Sequence, residues 1–209
     1  MPDELVFYTH PMSRGRIARW MLEETGQPYR TELLDYGTTM KAPAYLAVNP
    51  MGKVPALRHG SMVVTECAAI CAYLADAFPA AGLAPPLGDR ARAPYYRWMF
   101  FAAGPLEAAI TDKSMGFVVP DDKIGRAGYG RFGDVMDTLE SALDHEHYMC
   151  GQQFTAADIV LGSQIGWGMQ FGTVEKRPVF ERYWARIGQR QAAVRARAID
   201  DELLAAAKV

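Results

Sequence analysis

Three short stretches of this chain carry groups that could do chemistry. The first is His10-Pro11-Met12-Ser13, which joins an apolar run to a helical pattern. A hydroxyl at Ser13 stands at the carboxyl end of a strand and the positive end of a helix. There it would donate a hydrogen bond to a ligand thiolate, and the dipole would lower the thiol pKa. A free thiol with a pKa near ~8.5 is only a few per cent ionised at neutral pH, and a drop of about two units makes it mostly thiolate. The alternative for Ser13 is an ordinary N-cap. Tyr8 is a rival donor, although alternation along its strand suits a core or wall position better.

The second stretch is Val54-Pro55. Proline cannot donate to a sheet ladder, so at a strand start it leaves an edge unpaired. If the bond is cis, the Val54 backbone turns outward and can pair with an extended peptide. The plain reading is a trans proline at a strand edge. The third stretch is Thr65-Glu66-Cys67, which opens a helix. A ligand carboxylate would sit on the Glu66 and Cys67 N–H groups, and the Glu66 carboxylate would take a ligand ammonium. Alternatively, Thr65 is an N-cap and Glu66 only complements the dipole.

Other polar groups point to folding. Thr155 and Asp158 in QFTAAD have the spacing of a capping box, with Phe154 placed as a staple. Cys67 and Cys71 share a helix face and lack the Cys-x-x-Cys redox spacing. His10, His59, His145 and His147 show no zinc spacing, so no metal is expected.

These groups need elements to hold them. Leu5–Thr9 reads as a buried strand, and Ser13 to Gly26 as a helix with Ile17, Trp20, Met21 and Leu22 on one side. Tyr29–Leu34 reads as a second strand in a βαβ unit. A short helix is expected around Ala42–Ala47. Pro55–Arg58 and Met62–Val64 form a hairpin around His59-Gly60, and Glu66–Phe78 is a further helix. Pro79, Pro85 and Pro86 with Gly82 and Gly88 mark a linker. Apolar-periodic segments then recur at about 91–116, 121–147, 155–170 and 178–206, with no convincing strands. The expected fold is α/β plus all-α: a βαβ-ββα domain over residues 1–79, a linker over 80–88 and a helical bundle over 89–209.

The 209 residues are half apolar, enough for a sizeable core. A net charge of −2 offers no basic footprint for nucleic acid. No apolar run reaches membrane-spanning length. The N-terminal residues lack a signal-peptide pattern, and three cysteines suit a reducing cytoplasm.

Taken together, the Pro-x-Ser helix start, NPMGKVPAL, TECAAICAYLADAFP, the proline-rich linker and FTAADIVLG resemble the cytosolic glutathione S-transferases over essentially the whole chain. The N-terminal motif is similar to bacterial, serine-type, phi- or theta-like members. The resemblance implies a thioredoxin-like domain that binds glutathione as co-substrate, an all-α domain that helps bind a small apolar electrophile, and a homodimer. By position, Ser13 matches the catalytic serine, Val54 the residue whose backbone pairs with the cysteinyl part of glutathione, and Pro55 the cis-proline. Glu66 and Cys67 match the pair that holds the γ-glutamyl end. Lys53 and Lys41 are candidates for the glycyl carboxylate. Two departures stand out. Arg14 occupies the place of the beta-class catalytic cysteine, which argues against disulfide chemistry, and Cys67 replaces a usual serine. A non-catalytic glutathione- or partner-binding module is the alternative, as is a glutathione-dependent reductase, peroxidase or isomerase. Trp98 to Phe101, with Met12, Met115, Phe117 and Trp167, could wall an apolar pocket or simply be core. Pro105 should kink its helix.

Overall fold

The computed structural model describes residues 4–206. By their contacts they fall into two compact units. One holds the residues up to Ala81 together with those from Arg190 onward, and the other holds Gly82–Gln189.

The first unit is built on a four-stranded sheet in the order β2-β1-β3-β4. β1 (Leu5–Thr9) lies between β2 (Arg30–Leu33), which runs parallel to it, and β3 (Ala56–His59), which runs antiparallel. β4 (Met62–Thr65) completes the hairpin at the edge, with Ala56 opposite Thr65. β1 is central and covered on both faces, so Leu5, Val6, Phe7 and Thr9 are all buried without alternation. The hairpin loop is Gly60-Ser61, and Gly60 has φ 58°, a value that suits glycine at the first loop position.

α1 (Gly15–Thr25) and α3 (Cys67–Ala77) pack on each other beside the sheet. α1 buries Ile17, Ala18, Met21 and Leu22, and left-handed Gly26 stops it, as expected. α3 buries Ile70, Cys71, Leu74 and Ala75. The short α2 (Pro43–Leu46) precedes the loop that leads to β3.

The apolar-periodic segment 178–206 divides into α8 (Pro178–Ile187) and α9 (Gln191–Ala206). The expectation grouped all of residues 89–209, whereas α9 packs against α1 in the first unit. α9 buries Ala192, Ala193 and Ala196, and ion pairs join it and the residue ahead of it to α1. Arg19 and Asp200, 1% and 0% exposed, meet at 2.9 Å. Arg16 reaches Asp201 at 2.7 Å, Arg195 reaches Glu23 at 3.1 Å, and Arg190, just ahead of α9, holds both oxygens of Glu24 at 2.6 and 2.8 Å.

The second unit contains α4 (Arg92–Phe101), α5 (Glu107–Ser114), α6 (Phe132–His145), α7 (Ala156–Phe171) and α8. The periodic stretch from 121 begins as a 3₁₀ turn over Asp121–Arg126, and α6 follows it. Pro105 lacks an N–H, and the chain passes it in a π-helical turn over Ala102–Leu106. Gln164 from α7 donates to the Ala102 carbonyl at 3.1 Å.

α7 is buried nearly all round, and its glycines make this possible. A Cβ on Gly162 would lie 2.1 Å from Ile187 Cδ1, one on Gly166 2.7 Å from the Trp184 ring, and one on Gly168 2.3 Å from Val174 Cγ2. The capping box at its start is formed as expected. Asp158 Oδ2 accepts from Thr155 N at 2.8 Å, and Oδ1 accepts from Met149 N and the Tyr183 hydroxyl, both at 2.8 Å. Burial pushes the Asp158 carboxyl up, against the pull of these donors. No described helix is long and apolar enough to cross a membrane.

Candidate glutathione site

The β1–α1 loop is held by its own polar groups. Met12 N donates to His10 Nδ1 at 3.1 Å, which fixes that nitrogen as an acceptor. Arg16 Nε donates to the Pro11 carbonyl at 2.6 Å, and the Tyr36 hydroxyl donates to the Met12 carbonyl at 3.1 Å. The Tyr36 ring lies 4.6 Å from the His10 ring. Burial raises the Tyr36 hydroxyl pKa, and the Arg14 charge with the nearby Ser13 hydroxyl, which could turn to an ionised phenol, partly offsets the rise.

Ser13 is half-buried at the helix start. Its oxygen accepts from Gly15 N at 3.0 Å, and its single proton goes to the His10 carbonyl at 2.6 Å. The N-cap position of α1 belongs to Arg14, which makes no side-chain capping bond, so Ser13 stands one residue ahead of it, its oxygen on the Gly15 N–H near the positive end of the helix. Gly15 is required beside it, because a Cβ there would lie 2.9 Å from Ser13 Oγ and 1.9 Å from Thr9 Oγ1.

The start of α3 reaches this loop. Cys67 Sγ donates to the Arg14 carbonyl at 3.5 Å. Thr65 is not the N-cap: it is the last residue of β4, paired with Ala56. The N-cap position belongs to Glu66, which has φ 68° and makes no side-chain capping bond. Glu66 is the one non-glycine residue with positive φ among the described residues. Such a conformation costs on the order of 1–3 kcal/mol and persists where surrounding structure demands it. The reason here is a tight passage from a paired edge strand directly into a helix, and it leaves the Glu66 side chain exposed. The buried Cys71 thiol is pushed well up by its contact with the Cys67 thiol and by burial.

The Val54–Pro55 bond is cis. Val54 precedes the paired residues of β3, half-buried against the Met40, Tyr45 and Ala56 cluster that also takes in Tyr8. The Tyr8 ring lies 5.6 Å from that of Tyr45, so Tyr8 contributes to a wall. The loop ahead of Val54 is braced by two residues that sequence reading passed over. The Tyr45 hydroxyl and Asn49 Nδ2 both donate to the Lys53 carbonyl, at 2.6 and 2.8 Å. Burial pushes the Tyr45 hydroxyl pKa up to about 12, so it stays a donor. The buried Asn49 in NPMGK was a visible signal, a polar side chain next to proline and glycine in a turn. Lys53 is exposed, while Lys41 Nζ donates to the Met51 carbonyl at 3.0 Å, beside Gly52. Of the residues suggested as an apolar wall, Trp98 and Met99 are buried core, whereas Met12, Phe100, Met115 and Phe117 are more than half exposed.

Known proteins share this sequence pattern and fold. Residues 12–77 match the family described as glutathione S-transferase, N-terminal domain. A glutathione S-transferase of Xanthomonas campestris pv. campestris is 28% identical over 170 residues, covering 79% of this chain and 83% of its own. A sphingomonad glutathione S-transferase complexed with glutathione superposes with a TM-score of 0.78 at 28% identity, over 94% of this chain and 98% of its own. The chain is thus similar to glutathione S-transferases over nearly its whole length, and its N-terminal region matches their family. Its relatives include a theta-class glutathione S-transferase of Xanthomonas axonopodis pv. citri with glutathione bound, at 29% identity and a TM-score of 0.74, over 94% of this chain and 97% of that one. The chain has the thioredoxin-like sheet and the helical region that the resemblance implied.

Proposed function

We propose that the protein binds glutathione along the β1–α1 loop, the Val54 backbone and the start of α3, and presents the thiolate to a small apolar electrophile. One observation carries most of this reading: the Cys67–Arg14 bond, which brings the start of α3 against the loop that carries Ser13. Ser13 donates to the ligand sulfur. The Val54 backbone pairs with the cysteinyl part beside Pro55. The Glu66 carboxylate takes the γ-glutamyl ammonium, and the N–H groups of Glu66 and Cys67 take its carboxylate. Lys53 is the better partner for the glycyl carboxylate, since the Lys41 ammonium is already engaged with Met51. Catalysis comes from thiol ionisation and proximity. No metal takes part. The working form is a cytoplasmic homodimer.

Cys67 favours one rival, a glutathione-binding module without turnover. A weak thiol donor replaces a hydroxyl, and it is spent on Arg14. The lost neutral hydrogen bond is worth about 0.5–1.5 kcal/mol of glutathione affinity. Calorimetry with glutathione, run beside a conjugation assay over a panel of apolar electrophiles, separates the two. Binding with turnover supports the enzyme, binding without turnover supports the module, and no binding refutes both.

A further inference from the structure

Thr9 ends β1 with its side chain fully buried. A buried hydroxyl ordinarily makes a good hydrogen bond. Among the described residues, the Thr9 hydroxyl has one acceptor, the His10 carbonyl, at 3.5 Å. That is long for O–H···O, where about 2.7–2.8 Å is usual. The same carbonyl already takes the Ser13 proton at 2.6 Å. Two hydroxyls thus share one acceptor, one at close range and one held back. Gly15 makes room for this arrangement, since any Cβ there would collide with Thr9 Oγ1.

The shared acceptor matters when a ligand thiolate arrives. Ser13 has one proton, and giving it to sulfur strips the His10 carbonyl of its short bond. An unpaired carbonyl beside buried Thr9 opposes that turn. We propose that Thr9 is a positioning residue for the reacting thiol: its hydroxyl closes on the His10 carbonyl as Ser13 turns its O–H to the ligand sulfur. Both O–H groups only rotate, and no proton leaves either oxygen. This rests on the reading of Ser13 as the thiolate's donor.

The test measures the pKa of enzyme-bound glutathione from thiolate ultraviolet absorbance against pH. It uses Thr9→Val, Thr9→Ala and Thr9→Ser, each made also in a Ser13→Ala background. Thr9→Val and Thr9→Ala should raise the bound thiol's pKa by about 0.5–1 unit, the worth of one neutral hydrogen bond. Affinity at a pH where the thiol is protonated should stay within about two-fold, because in that state Ser13 still serves His10. Thr9→Ser should restore the wild-type value, and neither hydroxyl-free variant should add anything to Ser13→Ala. If Ser13→Ala raises the pKa while both hydroxyl-free Thr9 variants leave it unchanged, Thr9 has no such role. An equal rise from Thr9→Val with and without Ser13 also overturns the proposal. If Ser13→Ala itself leaves the pKa unchanged, the Ser13 reading fails, and the role of Thr9 falls with it.

Discussion

Replacing Arg19 by Met should destabilise the protein more than most single substitutions. The guanidinium is 1% exposed and sits 2.9 Å from Asp200, which is fully buried. It also donates to the Tyr29 hydroxyl and Thr31 Oγ1, both at 3.2 Å, and lies 5.2 Å over the Phe7 ring. Removing it leaves a carboxylate without its counter-charge in a dry site, a loss of about 3–5 kcal/mol. In a chain of this size each kcal/mol moves the melting point by about 2–4 °C, so a fall of roughly 6–20 °C is expected. The pH dependence identifies the cause. Burial lifts the Asp200 carboxyl above its ordinary value, and Arg19 opposes the lift. A raised folded pKa removes stability as pH rises from the unfolded value, about 3.9, through the folded one. The deficit of Arg19→Met is therefore full at neutral pH and shrinks as pH falls toward about 4. Adding Asp200→Leu removes the orphaned charge and should recover most of the loss. Urea denaturation across pH reads both variants against wild type. A single variant as stable as wild type at neutral pH, or a double variant no better than the single, refutes the argument.

Other substitutions probe the site and the helical unit. Ser13→Ala should lower kcat/KM for conjugation by roughly 10²-fold, the usual loss for one positioned donor. An unchanged rate would hand the role to Tyr8 or a backbone N–H. Gly15→Ala forces a Cβ to within 1.9 Å of Thr9 Oγ1, and an overpacking cost of about 1–3 kcal/mol should appear in thermal melts together with a raised pKa of bound glutathione. Asp158→Asn turns an NH₂ toward either Met149 N or Thr155 N, so chemical denaturation should show a loss of about 2–3 kcal/mol with glutathione affinity little changed.

Much of the local structure around the candidate site was legible because local chemistry dictates it. Ser13, Pro55 and Glu66 each lie at the junction of two elements, where residue type is tied to local backbone. The capping box of Thr155 and Asp158 was readable for the same reason: its partners are three residues apart. What the sequence concealed is long-range or depends on backbone shape. Nothing in the periodicity of 178–206 shows that α9 pairs Asp200 with Arg19, because the two stand far apart along the chain. Thr65 has the right residue type for a cap, but its pairing with Ala56 keeps it in the strand and shifts the junction to Glu66 at positive φ. The brace from Tyr45 and Asn49 onto the Lys53 carbonyl was missed because its acceptor is backbone.

The glycines of α7 bear on the order in which the chain acquires structure. Each of Gly162, Gly166 and Gly168 lowers intrinsic helix stability by about 1 kcal/mol relative to alanine. Their compensation comes from Ile187, Trp184 and Val174, all of which follow α7 in the chain. During synthesis α7 therefore emerges before the surfaces that make it worth forming. At ~5–20 residues per second, it waits on the order of a second or more for α8. An apolar segment held open for that interval is a natural handle for chaperones. Stalled chains in which α7 but not α8 has cleared the ribosome should be protease-sensitive over α7, while chains in which α8 has also emerged should be protected.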